Sequence, residues 1–395
     1  MDTQIWVVGG AIRDFLIGEM ISDIDFVINI DMSIFVKRLA NKGIKINKVN
    51  IHYKTISIIL SNKEYQITSF RKDLITFGRK AYVGSTESIY QDAKRRDFTI
   101  NALYLDQEGK LIDPLNGYED IIKRKLRFID NPIDRIEEDY LRILRFCRFS
   151  ANFPKNDIYR NYQKKITAKS QNVCILSNKR MRDELTKIFM EKNFHISLST
   201  MVNLELDRYI LSNVKSKKHE GFKTKDFKKI IFIKSFVLNL IKNEKLDLIC
   251  VIMLHLYSLN MIEMIIKRFD LNKTKMNFCS FVKQILDFEK KVEKTYVENI
   301  SVKDKKLNIL KLMWILRCKI NTKNKNLFNQ DRIPFNWYKL ALFHIYPLKT
   351  IKEIDLCNLS WPKIPIKRSQ IKKTFKQNNY DQINNLIFKA EEFWV

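Results

Sequence analysis

The chain is poor in the residues that interrupt regular structure: of 395 residues, nine are glycine and seven proline. After residue 150 the single glycine is Gly221, and no proline lies between Pro154 and Pro334. That excludes a region of tight hairpins and argues for long helices in the C-terminal half. No apolar run reaches the roughly 18 residues a membrane span requires, and no signal-peptide pattern opens the chain, so a cytoplasmic protein is expected. Six cysteines, at 147, 174, 250, 279, 318 and 357, form no Cys-x-x-Cys pair and fall mostly in apolar runs, which points to buried reduced thiols. Five scattered histidines make neither a His-Glu-x-x-His motif nor a His-Asp pair, so zinc and phosphohydrolase chemistry are not indicated.

Charge is abundant but uneven. Residues 1–150 carry 24 Lys and Arg against 21 Asp and Glu, a net of +3, whereas the rest carries 48 against 23, a net of +25. A polyanion is therefore expected along the C-terminal part.

Strand and turn signals dominate to about residue 113, in "KTISIIL", "EYQITSF" and "TINALYL", with helices between them. "WVVGG" reads as a short buried strand entering a glycine turn, and "AIRDFLIG" as a helix starting there. Gly9 and Gly10 let the backbone close on a phosphate, which free helix N-terminal amides attract, and Arg13 adds a bidentate phosphate contact. Asp23 and Asp25, in "SDIDFVI" 13 residues after Gly10, sit two apart; on a strand that spacing puts both carboxylates on one face about 7 Å apart. Such a pair suits Mg²⁺, with two ions expected to serve phosphoryl transfer.

Two further clusters lie downstream. In "KRRDFTINALYLD", Arg95, Arg96, Asp97 and Asn101 precede an apolar run, and helical geometry would place Asp97 and Asn101 on one face, to read a sugar hydroxyl or brace a phosphate, or as a cap and a buried hydrogen bonder. In "DRIEEDYLRILRFCRFSANF", a strongly helical stretch, Asp139, Arg142, Arg145 and Arg148 recur every third residue. Cytosine and adenine present an exocyclic amine beside an unprotonated ring nitrogen, whereas uracil and guanine present a carbonyl beside a ring N–H. An aspartate accepting from the amine and an arginine donating to the nitrogen, Asp139 and Arg142, would admit CTP and ATP.

These strings, in this order, resemble the class II tRNA nucleotidyltransferase and bacterial poly(A) polymerase family, most closely the CCA-adding enzymes. "VVGGAIRDFLIG" with "DIDF" looks like the family's metal and triphosphate motif, "RRDFTINAL" like its ribose motif, and "DPLNGYEDI" like its hinge. "RIEEDYLRILRFCRF" looks like its base-reading helix, and "LSNKRMRDELTKIF" is similar to a neck-helix motif. The resemblance implies an α+β fold: a nucleotidyltransferase head (1–125) with a small mixed sheet and flanking helices, then an all-helical neck for base recognition (126–190) and a body and tail for tRNA binding (191–395). It implies that Asp23 and Asp25 bind Mg²⁺ and that Gly10 and Arg13 hold the triphosphate. Arg96, Asp97 and Asn101 would face ribose and phosphate, Asp139 and Arg142 would pair with the base, and Arg145 and Arg148 would support phosphates or template geometry. The implied reaction is attack of a tRNA 3′-hydroxyl on the α-phosphate of CTP, twice, then of ATP, with no obligate protein partner. A poly(A) polymerase, a partial CC- or A-adding enzyme, and a non-enzymatic basic RNA-binding protein remain alternatives.

Three departures from the family pattern stand out. Gln66 occupies the place of a frequent third acid, Lys179 that of a common glutamate, and Asp130-Asn131 that of a usual Gly-Asp. The last forty residues also look like the family tail, which implies a Pro-containing turn, a basic segment with Lys367, Arg368, Lys372 and Lys373, and a closing aromatic helix; Trp361 and Trp394 read as packing residues.

Overall fold

The computed structural model describes residues 3–212 except 22, 51–53, 78, 79, 87 and 154–156, together with 220–222 and short pieces beyond, the longest 261–271. The chain divides into two compact units, residues 1–221 and 222–395. The expected boundaries at 125 and 190 both lie within the first.

The first unit opens with an α+β head. Among the described residues seven strands form one mixed sheet in the order β3 (Ile46–Asn50), β4 (Thr55–Leu60), β5 (Lys63–Ser69), β2 (Asp25–Ile28), β1 (Ile5–Val8), β8 (Tyr104–Leu105) and β9 (Leu111–Ile112). Only β2 and β5 run parallel. β6 (Arg71–Phe77) and β7 (Lys80–Ser85) form a separate hairpin. β4 and β5 are rich in β-branched residues and joined through Ser61 and Asn62, both at positive φ, the conformation a tight hairpin turn demands.

Alternation along the strands builds two cores. Trp6, Val8 and Val27 join Phe70 and Tyr104 on one face; Ile28, Ile56, Ile58 and Ile67 meet Met32 and Leu39 of α2 (Met32–Asn41) on the other. Asp25 shares the parity of Val27 and pairs with Val8, so its carboxylate lies on the Trp6–Val8 face, at the strand's end. α1 (Gly10–Ile17) leaves β1 through Gly9, whose φ of 77° favours glycine.

Three expectations are corrected. The strand read in "TINALYL" is only β8; Thr99–Asn101 is a 3-10 turn, because the Thr99 hydroxyl donates to Asp120 and the Asn101 amide to Asp97. Asp23 stands before β2 rather than on it, since β1 turns away at Gly9 once Val8 has paired with Asp25. The long helix read around Asp139 is two, α5 (Pro132–Glu138) and α6 (Leu141–Ser150). Asp139 is extended at the break, where its side chain accepts from the Leu141 N–H and caps the new helix.

From residue 132 to 212 the described first unit is helical, with α7 (Asp157–Lys169), α8 (Asn178–Met190) and α9 (Phe194–Asn203). An aromatic seam ties head to helices: ring centroids of Phe98 and Phe128 lie 4.4 Å apart, Phe128 and Phe146 5.9 Å, Phe98 and Phe149 5.4 Å. Asn131 and Ser177 cap α5 and α8. Asp130, standing where the family usually has glycine, adopts φ 59°. Gly117, at the start of α4 (Gly117–Ile122), packs so closely that a Cβ would lie 2.2 Å from the Thr99 carbonyl oxygen.

In the second unit, α10 (Ile262–Phe269) buries Ile265 and Phe269 and ends at left-handed Asp270. The tail residues singled out above, from Trp361 to Trp394, and Cys250, Cys279, Cys318 and Cys357 lie outside the described residues. Cys147 and Cys174 are buried free thiols. Among the described residues no helix is long and apolar enough to cross a membrane.

Candidate nucleotide-binding site

A cleft of about 860 Å³ opens in the first unit, bounded by the ends of β1 and β2, the start of α1, the 95–101 segment, α6 and α8. The residues that the sequence assigns to metal and nucleotide line it: Gly9, Gly10, Arg13, Asp23, Asp25, Arg96, Asp97, Asn101, Asp139, Arg142, Arg145 and Arg148. Its volume suits a nucleoside triphosphate. The lining holds ten Arg and Lys against seven Asp and Glu, an excess that favours an anion.

Asp23 and Asp25 lie exposed to the cleft. Asp25's carboxyl is held above its ordinary value, first by desolvation and further by the Asp23 charge, while Arg96 and Lys187 pull it down. Two hard carboxylates whose repulsion a divalent cation would relieve fit Mg²⁺ as a donor set. Among the described residues no third His, Cys, Asp or Glu joins them. Gln66 is the register partner of Asp25 across the parallel β2–β5 pair, so an amide stands where an acid would complete the group. Glu64 instead accepts from the Asn47 amide at 3.1 Å, and Asp73 belongs to the separate hairpin.

The arginines are anchored from behind. Asp92, fully buried on α3 (Ile89–Lys94), accepts from Arg95 Nε at 2.9 Å, Arg96 Nη2 at 3.0 Å and the Tyr104 hydroxyl at 2.8 Å. Burial alone would raise its pKa, but Arg95 and Arg96 outweigh that and bring it down to about 2. Gly9 leaves room for Arg96, whose Nη1 would lie 3.4 Å from a Cβ there. Arg13 donates to the Asn101 amide oxygen at 2.5 Å, Asn101 donates to Asp97 Oδ1 at 2.9 Å, and Asp97 Oδ2 accepts from Arg145 Nε. Burial opposes ionisation of Asp97, yet Arg145 overcomes it and holds the carboxyl well below the usual range. Asp97 and Asn101 thus link α1 to α6 and form the cleft floor.

Asp139 and Arg142 are also engaged. Arg180 of α8 donates to both Asp139 oxygens, at 3.1 and 2.6 Å. Arg142 donates to Glu138 and to the Arg135 carbonyl at 2.7 Å. Arg148 pairs with Glu184 at 2.9 Å. Asp92, Arg180 and Lys187 escaped the sequence reading. For Arg180 the signal was its place in "LSNKRMRDELTKIF", three residues after capping Ser177.

In the first unit the ends of a mixed sheet thus meet a set of helices across a polar cleft. Residues 5–127 match the Poly A polymerase head domain, and residues 157–218 the probable RNA and SrmB-binding site of polymerase A. The chain is 34% identical over 210 residues to CCA tRNA nucleotidyltransferase 1, mitochondrial, of Homo sapiens, across 52% of this chain and 48% of that one. Among solved structures it resembles a CCA-adding enzyme in apo form II, with TM-score 0.66 and 18% identity across 99% of this chain and 87% of the other. It also resembles the Bacillus stearothermophilus CCA-adding enzyme in complex with CTP, with TM-score 0.57 and 17% identity across 98% and 88%. Residues 5–127 and 157–218 are thus similar to two domains described for poly(A) polymerases. The chain spans about half the length of the curated relatives it matches.

Proposed function

We propose that the chain is a template-independent nucleotidyltransferase that adds C, C and A to the 3′ end of tRNA from CTP and ATP. The observation that carries this reading is convergence: Asp23 and Asp25 share one cleft with Asp139 and Arg142, which come from a separate element. Asp23 and Asp25 would hold Mg²⁺, and the chemistry it would supply when bound is Lewis-acid stabilisation of the attacking hydroxyl and of the leaving pyrophosphate. Gly9, Gly10, Arg13 and Arg96 receive the triphosphate, and the Asp97–Asn101 floor meets the ribose. Asp139 accepts from the exocyclic amine of cytosine or adenine while Arg142 donates to the adjacent ring nitrogen; uracil and guanine leave both groups mismatched. Arg145 and Arg148 support the phosphate side. A human relative named for CCA addition to tRNA and a structural neighbour bound to CTP support this assignment.

In this reading residues 1–125 are the catalytic head, 126–190 the neck, and 191–395 a basic tRNA-binding body and tail, consistent with the +25 net charge after residue 150. Buried free Cys147 and Cys174 suit a reducing compartment such as the cytoplasm.

The test is single-nucleotide incorporation by purified protein on tRNA lacking CCA, tRNA ending in CC, and a generic RNA primer. CMP addition to the first and AMP addition to the second, with the generic primer untouched, is the expected outcome. AMP tracts on every primer would make the chain a poly(A) polymerase. Addition of C alone or A alone would make it a partial enzyme, and tRNA binding without incorporation a non-enzymatic one.

A further inference from the structure

Phe149, near the end of α6 and 4% exposed, is the meeting point of three guanidinium groups. The Cζ atoms of Arg148, Arg13 and Arg145 lie 4.5, 4.7 and 5.4 Å from its ring centroid. Arg13 comes from α1 in the head, the other two from α6, so the ring sits where head and helices join. Phe98 stands edge-on to it at 77° and fixes its tilt.

Three like charges around one point repel. Asp14, Asp97 and Glu184 each pair with one of them and Glu191 acts on Arg148 and Arg13, whereas the ring touches all three. The face of a phenyl ring carries the negative lobe of its quadrupole and attracts guanidinium, whereas leucine of similar bulk would fill the space without that attraction.

We propose that Phe149 is a positioning residue whose ring gathers Arg13, Arg145 and Arg148 into one cluster and holds it facing the triphosphate. Alternation of apolar and charged residues along α6 marks Phe149 only as packing; its second role arises because Arg13 arrives from elsewhere in the chain. This inference rests on the reading of the cleft as a nucleoside triphosphate site.

The experiment replaces Phe149 in the full chain with the mono-, di- and trifluorinated phenylalanines. These drain the negative face stepwise at nearly constant volume. CTP affinity is measured calorimetrically in Ca²⁺ without primer, beside thermal stability. A graded rise in Kd, reaching about tenfold for Phe149→trifluorophenylalanine, with Tm held within about 2 °C of wild type, is expected. A flat Kd, or one that rises only as Tm falls, would overturn the proposal and leave the ring as packing. Wild type is carried through the primer assay in parallel. CTP binding without incorporation would overturn the reaction and leave the Phe149 series readable, whereas no CTP binding would overturn both.

Discussion

Arg180 grips Asp139 with both terminal guanidinium nitrogens, at 3.1 Å to Oδ1 and 2.6 Å to Oδ2, across 41 residues of sequence. The carboxylate assigned to read the base therefore has its plane set by a second helix. Oδ1 also accepts from the Leu141 N–H, so Oδ2, which accepts from Arg180 alone, keeps a lone pair for an incoming amine, and the grip orients the acceptor without consuming it.

Arg180→Ala should loosen nucleotide choice. The ratio of CMP to UMP incorporation should fall about tenfold, the consequence of one misoriented charge-assisted hydrogen bond. Arg180→Lys, which cannot form the two-pronged contact, should fall between the two. Competition assays on tRNA lacking CCA read the ratio directly, and unchanged discrimination would remove Arg180 from specificity.

Asp25→Asn should abolish incorporation while leaving tRNA affinity intact, because the carboxylate lies in the head cleft and the bulk of the positive charge lies after residue 150. Gel-shift titration beside the incorporation assay separates the two effects.

Gln66→Glu should tighten divalent cation binding, since position 66 is the register partner of Asp25 and gains a charged ligand. Mn²⁺ titration followed by electron paramagnetic resonance should show Kd falling severalfold. Equal Mn²⁺ affinity in both proteins would mean that position 66 does not reach the cation.

Asp92 links stability to pH. Its folded pKa of about 2 lies below the ordinary 3.8, so its contribution, about 2 kcal/mol, is fully present above pH 4 and disappears as pH falls toward 2. Asp92→Asn should lower stability by about 3 kcal/mol at neutral pH and flatten the acid limb of a denaturation series between pH 4 and 2. It should also weaken CTP binding through a displaced Arg96.

Gly117→Ala forces a Cβ to 2.2 Å from the Thr99 carbonyl oxygen, a backbone atom with little freedom to yield. A loss of about 3 kcal/mol is expected, visible as a lower midpoint in urea. Thr99 adjoins the cleft floor, so nucleotide affinity should fall with it.

Much of the site is legible in one dimension because its parts are local. Strand, glycine turn and helix follow one another in "WVVGGAIRDF", and Asp25 falls on β2 because the apolar alternation of Val27 and Ile28 sets its face. Where reading failed, a side chain had overruled periodicity: Asp139 caps α6 and breaks a helix the pattern would continue, and Thr99 and Asn101 bond Asp120 and Asp97 instead of entering a strand.

The sequence by itself determined the candidate chemistry: two carboxylates two residues apart, a glycine turn, and an Asp–Arg pair three residues apart, each fixed by a short spacing along the chain. Tertiary structure alone decided the partnerships among them. Asp92 behind Arg95 and Arg96, Arg180 on Asp139, and Phe149 amid three arginines join groups whose ion pairs and ring contacts depend on distance in space. Packing of α6 against the head and of α8 against α6, and not any local rule of the chain, brings the two sides of the cleft together.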